Sequence, residues 1–420
     1  MPGSIPMSSS SRIMIHPKRL AIGISVFLVC SFLSVWIFKV TYALVFNAIV
    51  DLVAPYDISK DLELEHLYHI PYPIIQKSEN PVNISAERIA IVMVLAEGVK
   101  RSFYRISIDS MECYAKAHGY QSILTSDTNW GCDHLEDKFF RRHCVIAKIL
   151  PKYDAVLHLD ADIGVVNPRR KLEDFLDANI DIIFYDRHYN QEIATGSYFA
   201  RNTQYAVGLI EEFANYESKL PIGMSHGSDN GAIHIFLAEK LFPHSAIELE
   251  LCRKSWRHSI TIIDQFSYTS CVRTILGSGT DFGKIRILRK GTSHVRDNWL
   301  TSGIWSPERD FMFHGYKMHQ LAEVPKEQIF PVQMSYEHWY NPFLGDFDLD
   351  RCRLGNTTWN HNEKFIGTRE AVEYELRKFE VKKAMQKMEL LQSLHNLVIN
   401  GRDRHLIQPV LEDLFPYEKV

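Results

Sequence analysis

The sequence predicts an α/β fold with a Rossmann-like mixed sheet, preceded by one transmembrane helix. Three observations carry that expectation. Arg88 to Leu95 is a continuous apolar, β-branched run, the signature of a strand buried on both faces. Lys100 to Ala117 follows with helical spacing, and Tyr120 to Leu124 with strand composition, which gives a β-α-β order. Ala155 to Leu159 is a further apolar strand, with Asp160 and Asp162 at its carboxyl end, where open α/β sheets place their sites.

Ahead of the sheet, no charged residue lies between Leu20 and Phe38, and the run approaches the roughly 20 apolar residues that cross a bilayer. Arg12, Lys18 and Arg19 precede it, so positive charge favours a cytoplasmic tail (1–19), a signal anchor (20–38) and a luminal remainder. A cleaved signal peptide competes, but the apolar run is long and no small-x-small site follows. Residues 39–87 read as a stem: the apolar character continues weakly from Val40 to Val50, and Asp51 to Glu87 is polar and carries Pro55, Pro71, Pro73 and Pro81. A catalytic domain is expected over 88–345.

Further along, His118-Gly119 ends the first helix. Leu135 to Leu150 reads as a second helix closed by Pro151, and Asn167-Pro168 as a turn. Lys171 to Asp177 is a short helix, Ile180 to Tyr185 a buried strand, Ile193 to Arg201 a strand with a flexible Thr195-Gly196-Ser197, and Thr203 to Tyr216 a helix. The pattern is less regular from Met224, apart from the helix Ala232 to Leu241 and the strand Lys284 to Leu288. Asp310 to Lys317 offers a short strand ending in His314-Gly315-Tyr316-Lys317. The extension 346–420 carries a long amphipathic helix, Arg369 to Ile399, with Val372, Leu376, Phe379, Met388, Leu391 and Leu394 on one face.

Of the 420 residues, 46% are apolar and 23% charged, enough for a large core, and a net charge of -4 gives no basic field for nucleic acid. Outside the span, Cys113, Cys132, Cys144, Cys252, Cys271 and Cys352 could form up to three disulfides, and spacing leaves the connectivity open. Zinc on Cys132, His134, His143 and Cys144 is the weaker alternative, because no C-x-x-C is present. Asn83-Ile-Ser and Asn356-Thr-Thr are glycosylation sequons usable only in a lumen.

Asp160 and Asp162 repel unless a cation lies between them, and carboxylate oxygens suit Mg²⁺, Mn²⁺ or Ca²⁺. His314 tilts the choice towards Mn²⁺, and Lys317 with Gly315 suits a diphosphate. Taken singly, each is more often a solvated turn residue or a satisfied core histidine. Asp229, at the start of a helix, reads first as an N-cap and second as an acceptor-side carboxylate.

One ordered set makes the argument stronger. A Met-Val-Leu strand, Tyr114 to Tyr120, Leu-Asp-Ala-Asp with Asn167-Pro168, Thr195-Gly196-Ser197 with Arg201-Asn202, and His314-Gly315-x-Lys317 together resemble nucleotide-sugar-dependent glycosyltransferases of the GT-A fold. The chain is most similar to the galactosyl/mannosyltransferase family of yeast and plant Golgi enzymes, and to a nematode family labelled as a domain of unknown function. The resemblance implies that Asp160, Asp162 and His314 bind Mn²⁺ (or Mg²⁺) and that Asp160, Asp162, Gly315 and Lys317 contact the nucleotide-diphosphate sugar. It further implies that the strand Arg88 to Leu95 and its loop hold the base, and that a hexose passes to a glycan or glycoconjugate acceptor with retained configuration. The setting implied is a Golgi membrane, single-pass type II, with a luminal catalytic domain. Thr195 departs from the Asn usual there, and Ser228-Asp229-Asn230 aligns loosely, with Asp229 the candidate catalytic carboxylate. A non-catalytic luminal binding protein is the first alternative. An aspartyl-phosphate phosphatase is the second, disfavoured by Gly164 and by the strand's place in the order.

Overall fold

A computed structural model describes residues 64–73, 78–190, 192–221, 228–259, 262–322 and 339–399. The expected span Leu20 to Phe38 lies outside them, and among the described residues no helix is long and apolar enough to cross a membrane. Asp61–Ala384 forms one compact unit, and Met1–Lys60 with Met385–Val420 a second, of which only part of the last helix is described.

The chain makes α1 (Glu65–Tyr68), β1 (Ile89–Leu95), α2 (Arg105–His118), β2 (Gln121–Ser126), α3 (Lys138–Ile149), β3 (Ala155–Leu159) and β4 (Ile163–Val165). There follow β5 (Ile182–Asp186), β6 (Ile193–Arg201), α4 (Gln204–Ala214), α5 (Ser228–Leu241), α6 (Ala246–Arg257) and α7 (Ile262–Leu276). Last come β7 (Asp281–Phe282), β8 (Ile285–Leu288), β9 (Val295–Asp297), β10 (Met312–His314), β11 (Leu321–Ala322), β12 (Trp339–Tyr340) and α8 (Arg369–Ile399).

Seven strands form a mixed sheet in the order β2-β1-β3-β6-β5-β8-β7. β1 runs parallel to β2 and β3, whereas β6 runs antiparallel to both β3 and β5. Period two explains why β1 is apolar throughout. Ile89, Ile91 and Met93 enter one core, with Met111 and Tyr114 of α2, while Ala90 and Val92 enter the other, with Phe140 and Val145 of α3. Each Ile, Val, Met or Phe among them contributes about 1.5–3 kcal/mol by burial. Gly119 ends α2 at φ 80°, the Asp137 carboxylate accepts from Phe139 N at the start of α3, and Thr203 caps α4 in the same way.

A second, three-stranded sheet has the order β4-β10-β9, with β10 antiparallel to β4 and parallel to β9. Its register sets His314 opposite both Ile163 and Asp297. This small sheet brings the two halves of the site together.

Several segments differ from expectation. Part of the supposed stem is docked on the body: Tyr72 is 2% exposed, bonds Glu380 through its hydroxyl at 2.6 Å, and lies under the Arg377 guanidinium. Its aromatic ring provides the apolar area that a proline-rich count overlooks. Helices α6 and α7 fill the stretch read as irregular; Leu249, Cys252 and Trp256 are buried at helical spacing, and Cys252–Cys271 joins the pair. The expected short helix Lys171 to Asp177 is a single 3-10 turn, Leu172–Asp174. All six cysteines outside the span pair, as Cys113–Cys352, Cys132–Cys144 and Cys252–Cys271, which removes the zinc alternative. On α8, Val372, Leu376 and Phe379 are buried; the side chains of Met388, Leu391 and Leu394 lie outside the described residues.

Candidate active site

β3 ends at Leu159, and Asp160 N donates to Gly196 O at 2.6 Å, so the first carboxylate emerges beside β6. A Cβ at residue 196 would overlap the Asp160 carboxylate, so glycine there is a condition for that carboxylate's position. After the turn, the Asp162 carbonyl accepts from both Gly315 N and Tyr316 N at 2.9 Å. The two sequence motifs, about 150 residues apart, are thus tied by backbone as well as by the β4–β10 ladder.

The side chains follow from that frame. Asp162 Oδ2 lies 3.4 Å from His314 Nε2 and 3.3 Å from Lys317 Nζ. His314 Nδ1 donates to Asp297 Oδ1 at 2.7 Å, and Arg187 Nη2 donates to the same oxygen at 3.0 Å. Burial alone would raise the Asp162 carboxyl, yet His314 and Lys317 hold it well below the usual carboxylate range. Burial would equally lower His314, but Asp162 and Asp297 carry it up to about 9. The imidazole is therefore charged at neutral pH while no cation shares the site.

Asp160 is differently placed. Its carboxylate pairs with Arg142 of α3, which also pairs with Asp229. Burial, then the neighbouring Asp162 and Asp229, push the Asp160 carboxyl up against the opposing pull of Arg142. Asp229 is 1% exposed, in the first turn of α5, with His143 Nε2 at 3.1 Å and Thr195 Oγ1 at 2.9 Å. Burial would raise its carboxyl, but Arg142 and His143 hold it well below the ordinary range. Asp229 is thus the buried counter-ion of Arg142. The same contacts explain Thr195, whose hydroxyl and amide also reach Asn230 Oδ1 at 2.7 and 3.1 Å.

Gly315 also departs from expectation. It has φ +112°, and a Cβ there would collide with the Trp339 ring, so its first role is local geometry and packing, beside any approach of a diphosphate. Sequence reasoning missed Arg142, Asp297 and Arg187. Arg142 had a readable signal, a cation within an otherwise apolar helical stripe; Asp297 and Arg187 had none.

The fit of a divalent cation can be judged from these groups. Among the described residues, no group of three or more His, Cys, Asp or Glu is arranged ready to hold a metal. Two carboxylates and one imidazole are nevertheless the oxygen and nitrogen donors that Mn²⁺ accepts. Asp297 on Nδ1 fixes the histidine in the way metal-bound imidazoles are held. Asp160, Asn230, Asp297 and His314, with Arg187 and Arg296, line a cavity of about 30 Å³, room for a water; Asp162 is not in its lining. The donor set fits once Asp160 turns from Arg142 and His314 loses its proton.

A family model described as "Protein of unknown function, DUF273" matches residues 111–331. No curated protein matches the chain. Among solved structures, the chain is similar to a glycosyltransferase involved in the glycosylation of the major capsid of PBCV-1, at 19% identity and TM-score 0.30, over 37% of this chain and 77% of that one. It is also similar to the apo-form glycosyltransferase GlyE of Streptococcus pneumoniae TIGR4, at 10% identity and TM-score 0.25, over 44% of this chain and 62% of that one.

Proposed function

The chain belongs to the DUF273 family, whose description assigns no activity, and we propose that it is a metal-dependent glycosyltransferase of the GT-A type. It moves a hexose from a nucleotide-diphosphate sugar to a glycan or glycoconjugate acceptor. One observation carries the reading: the β4–β10 ladder sets Asp162 against His314 and Lys317 while Asp297 orients the imidazole.

Asp160, Asp162 and His314 would hold Mn²⁺, or Mg²⁺ in its place, which when bound supplies Lewis-acid stabilisation to a leaving diphosphate. Lys317 adds a cation on the same side, where negative charge develops. Asp297 and Arg187 keep His314 oriented. Arg142 and Asp229 hold Asp160 and the edge of β6, a positioning role. Retained configuration is part of this reading through the family resemblance.

A Golgi membrane setting, type II with a luminal domain, accords with the apolar run Leu20 to Phe38 and with three disulfides, which persist in oxidising compartments. A binding-only reading draws support from one fact, that Arg142 already neutralises Asp160. A panel of nucleotide sugars incubated with the full chain separates the two. Mn²⁺-dependent release of nucleoside diphosphate from at least one donor supports transfer, whereas tight binding of a donor with no release supports the binding module.

A further inference from the structure

Beyond the donor site, an open cleft of about 410 Å³ lies between segments 345–352 and 356–360. That volume falls in the range of small-ligand sites. Phe347 and Trp359 form its apolar wall, their rings edge to face with centroids 5.0 Å apart and both half-buried. The Nε1 donor of Trp359 is shielded from solvent without a hydrogen-bond partner, an unusual state for an indole. Asp346, Asp348, Asn356 and Asn360 line the rest, and Asp346, Asp348 and Asn360 are exposed.

The composition selects the ligand. Arg105 neutralises Asp346, and Asp348 with Arg351 leaves the lining without net charge, so nothing there favours an ionic ligand. Planar carboxylates and carboxamides beside aromatic rings suit a neutral molecule with one C–H face and a rim of hydroxyls. We propose that this cleft binds carbohydrate, with Phe347 and Trp359 as the platform and Asp346 and Asn360 among the hydroxyl partners.

Its place in the fold gives the binding a use. Arg105, at the start of α2, pairs with Asp346, and Ser107 on the same helix donates to Ala161 O, between the two site carboxylates. Residues two apart leave a helix on nearly opposite sides, so α2 joins the cleft wall on one side to the Asp160–Asp162 turn on the other. Delivery of a glycan acceptor from the cleft rests on the glycosyltransferase reading; the binding itself does not. Asn356, a sequon residue in the lining, offers a second source, the chain's own N-linked glycan.

The test uses the full chain, made in glycosylating cells and held in nanodiscs, with chitobiose and mannobiose as probes followed by saturation-transfer NMR and tryptophan fluorescence. At least one probe should bind, unaffected by Asp162→Ala and weakened tenfold or more by Trp359→Ala. Asp346→Ala, at an exposed position, should weaken it comparably, whereas Arg105→Ala, which releases the same ion pair but keeps the carboxylate, should leave it intact. Binding seen only after enzymatic deglycosylation or in Asn356→Gln identifies the chain's own glycan as occupant; binding throughout identifies a free glycan. No binding before or after deglycosylation overturns the proposal, as does binding indifferent to Trp359→Ala and Asp346→Ala. Loss of binding in Asp162→Ala would assign the probe to the donor site and overturn it too. Metal-dependent donor cleavage without cleft binding refutes this inference alone.

Discussion

Replacing Arg142 by methionine keeps an unbranched apolar stem and removes the guanidinium that faces Asp160 and Asp229. Both Arg142 and Asp229 are nearly sealed, at 6% and 1% exposure. Removing one partner of a buried pair leaves the other charge uncompensated and costs about 3–5 kcal/mol. A second effect sets the pH dependence. His143 lies 3.1 Å from Asp229 and is held below its ordinary value by burial and by Arg142. Without Arg142 its folded-state pKa rises. Once that pKa exceeds the unfolded value of about 6.5, protonation stabilises the variant below that pH, and the benefit is lost as pH climbs through the folded pKa. Urea unfolding of Arg142→Met at pH 5.5 and 8 should therefore show a deficit of several kcal/mol at pH 8 and a smaller one at pH 5.5. A deficit under about 1 kcal/mol at both, or one larger at the lower pH, would refute the assignment of Arg142 as the buried counter-ion.

Three other perturbations test neighbouring parts of the account. Gly196→Ala pushes a methyl into the Asp160 carboxylate, so metal-nucleotide affinity should fall tenfold or more by calorimetry with the unfolding midpoint little changed; unchanged affinity would contradict the packing described. Gly315→Ala combines φ +112° with a collision against Trp339, and should cost about 1–3 kcal/mol in urea unfolding; a neutral outcome would show that the ring simply moves aside. Burial pushes His188 and His294 down to about 3. The unfolded chain protonates both near 6.5, so it binds more protons between those values and stability falls as pH drops from about 6.5 to 3, by on the order of 4 kcal/mol per histidine at the end of the range. A urea midpoint unchanged between pH 7 and pH 4 would contradict that burial.

The sequence carried much of the frame, because buried parallel strands such as Ile89–Leu95 and Ala155–Leu159 are apolar on both faces and stand out. The antiparallel insertion of β6 between β3 and β5 was not readable, since period-two composition does not encode direction. Helices α6 and α7 went unread although Leu249, Cys252 and Trp256 of the first and Tyr268, Val272 and Leu276 of the second are buried at helical spacing, a pattern the sequence did carry. Asp162, His314 and Lys317 were legible as short motifs, and the structure brings them together. The roles of Asp229 and Gly315 were not, because burial by Arg142 and packing by Trp339 come from residues far away in sequence. Asp297 entered the site through the register of β9 with β10, and Arg187 from the end of β5 by its pair with Asp297.

The central claim is that the Asp160–Asp162 turn and His314-Gly315-Tyr316-Lys317 form one metal-nucleotide site. Calorimetric titration of a nucleoside diphosphate into the full chain, with Mn²⁺ or with chelator, tests it most directly. Binding should require Mn²⁺ and fall at least a hundredfold in Asp162→Ala and His314→Ala, each with its disulfides and far-ultraviolet dichroism intact. Binding that persists in chelator, or that is indifferent to both substitutions, would contradict the account.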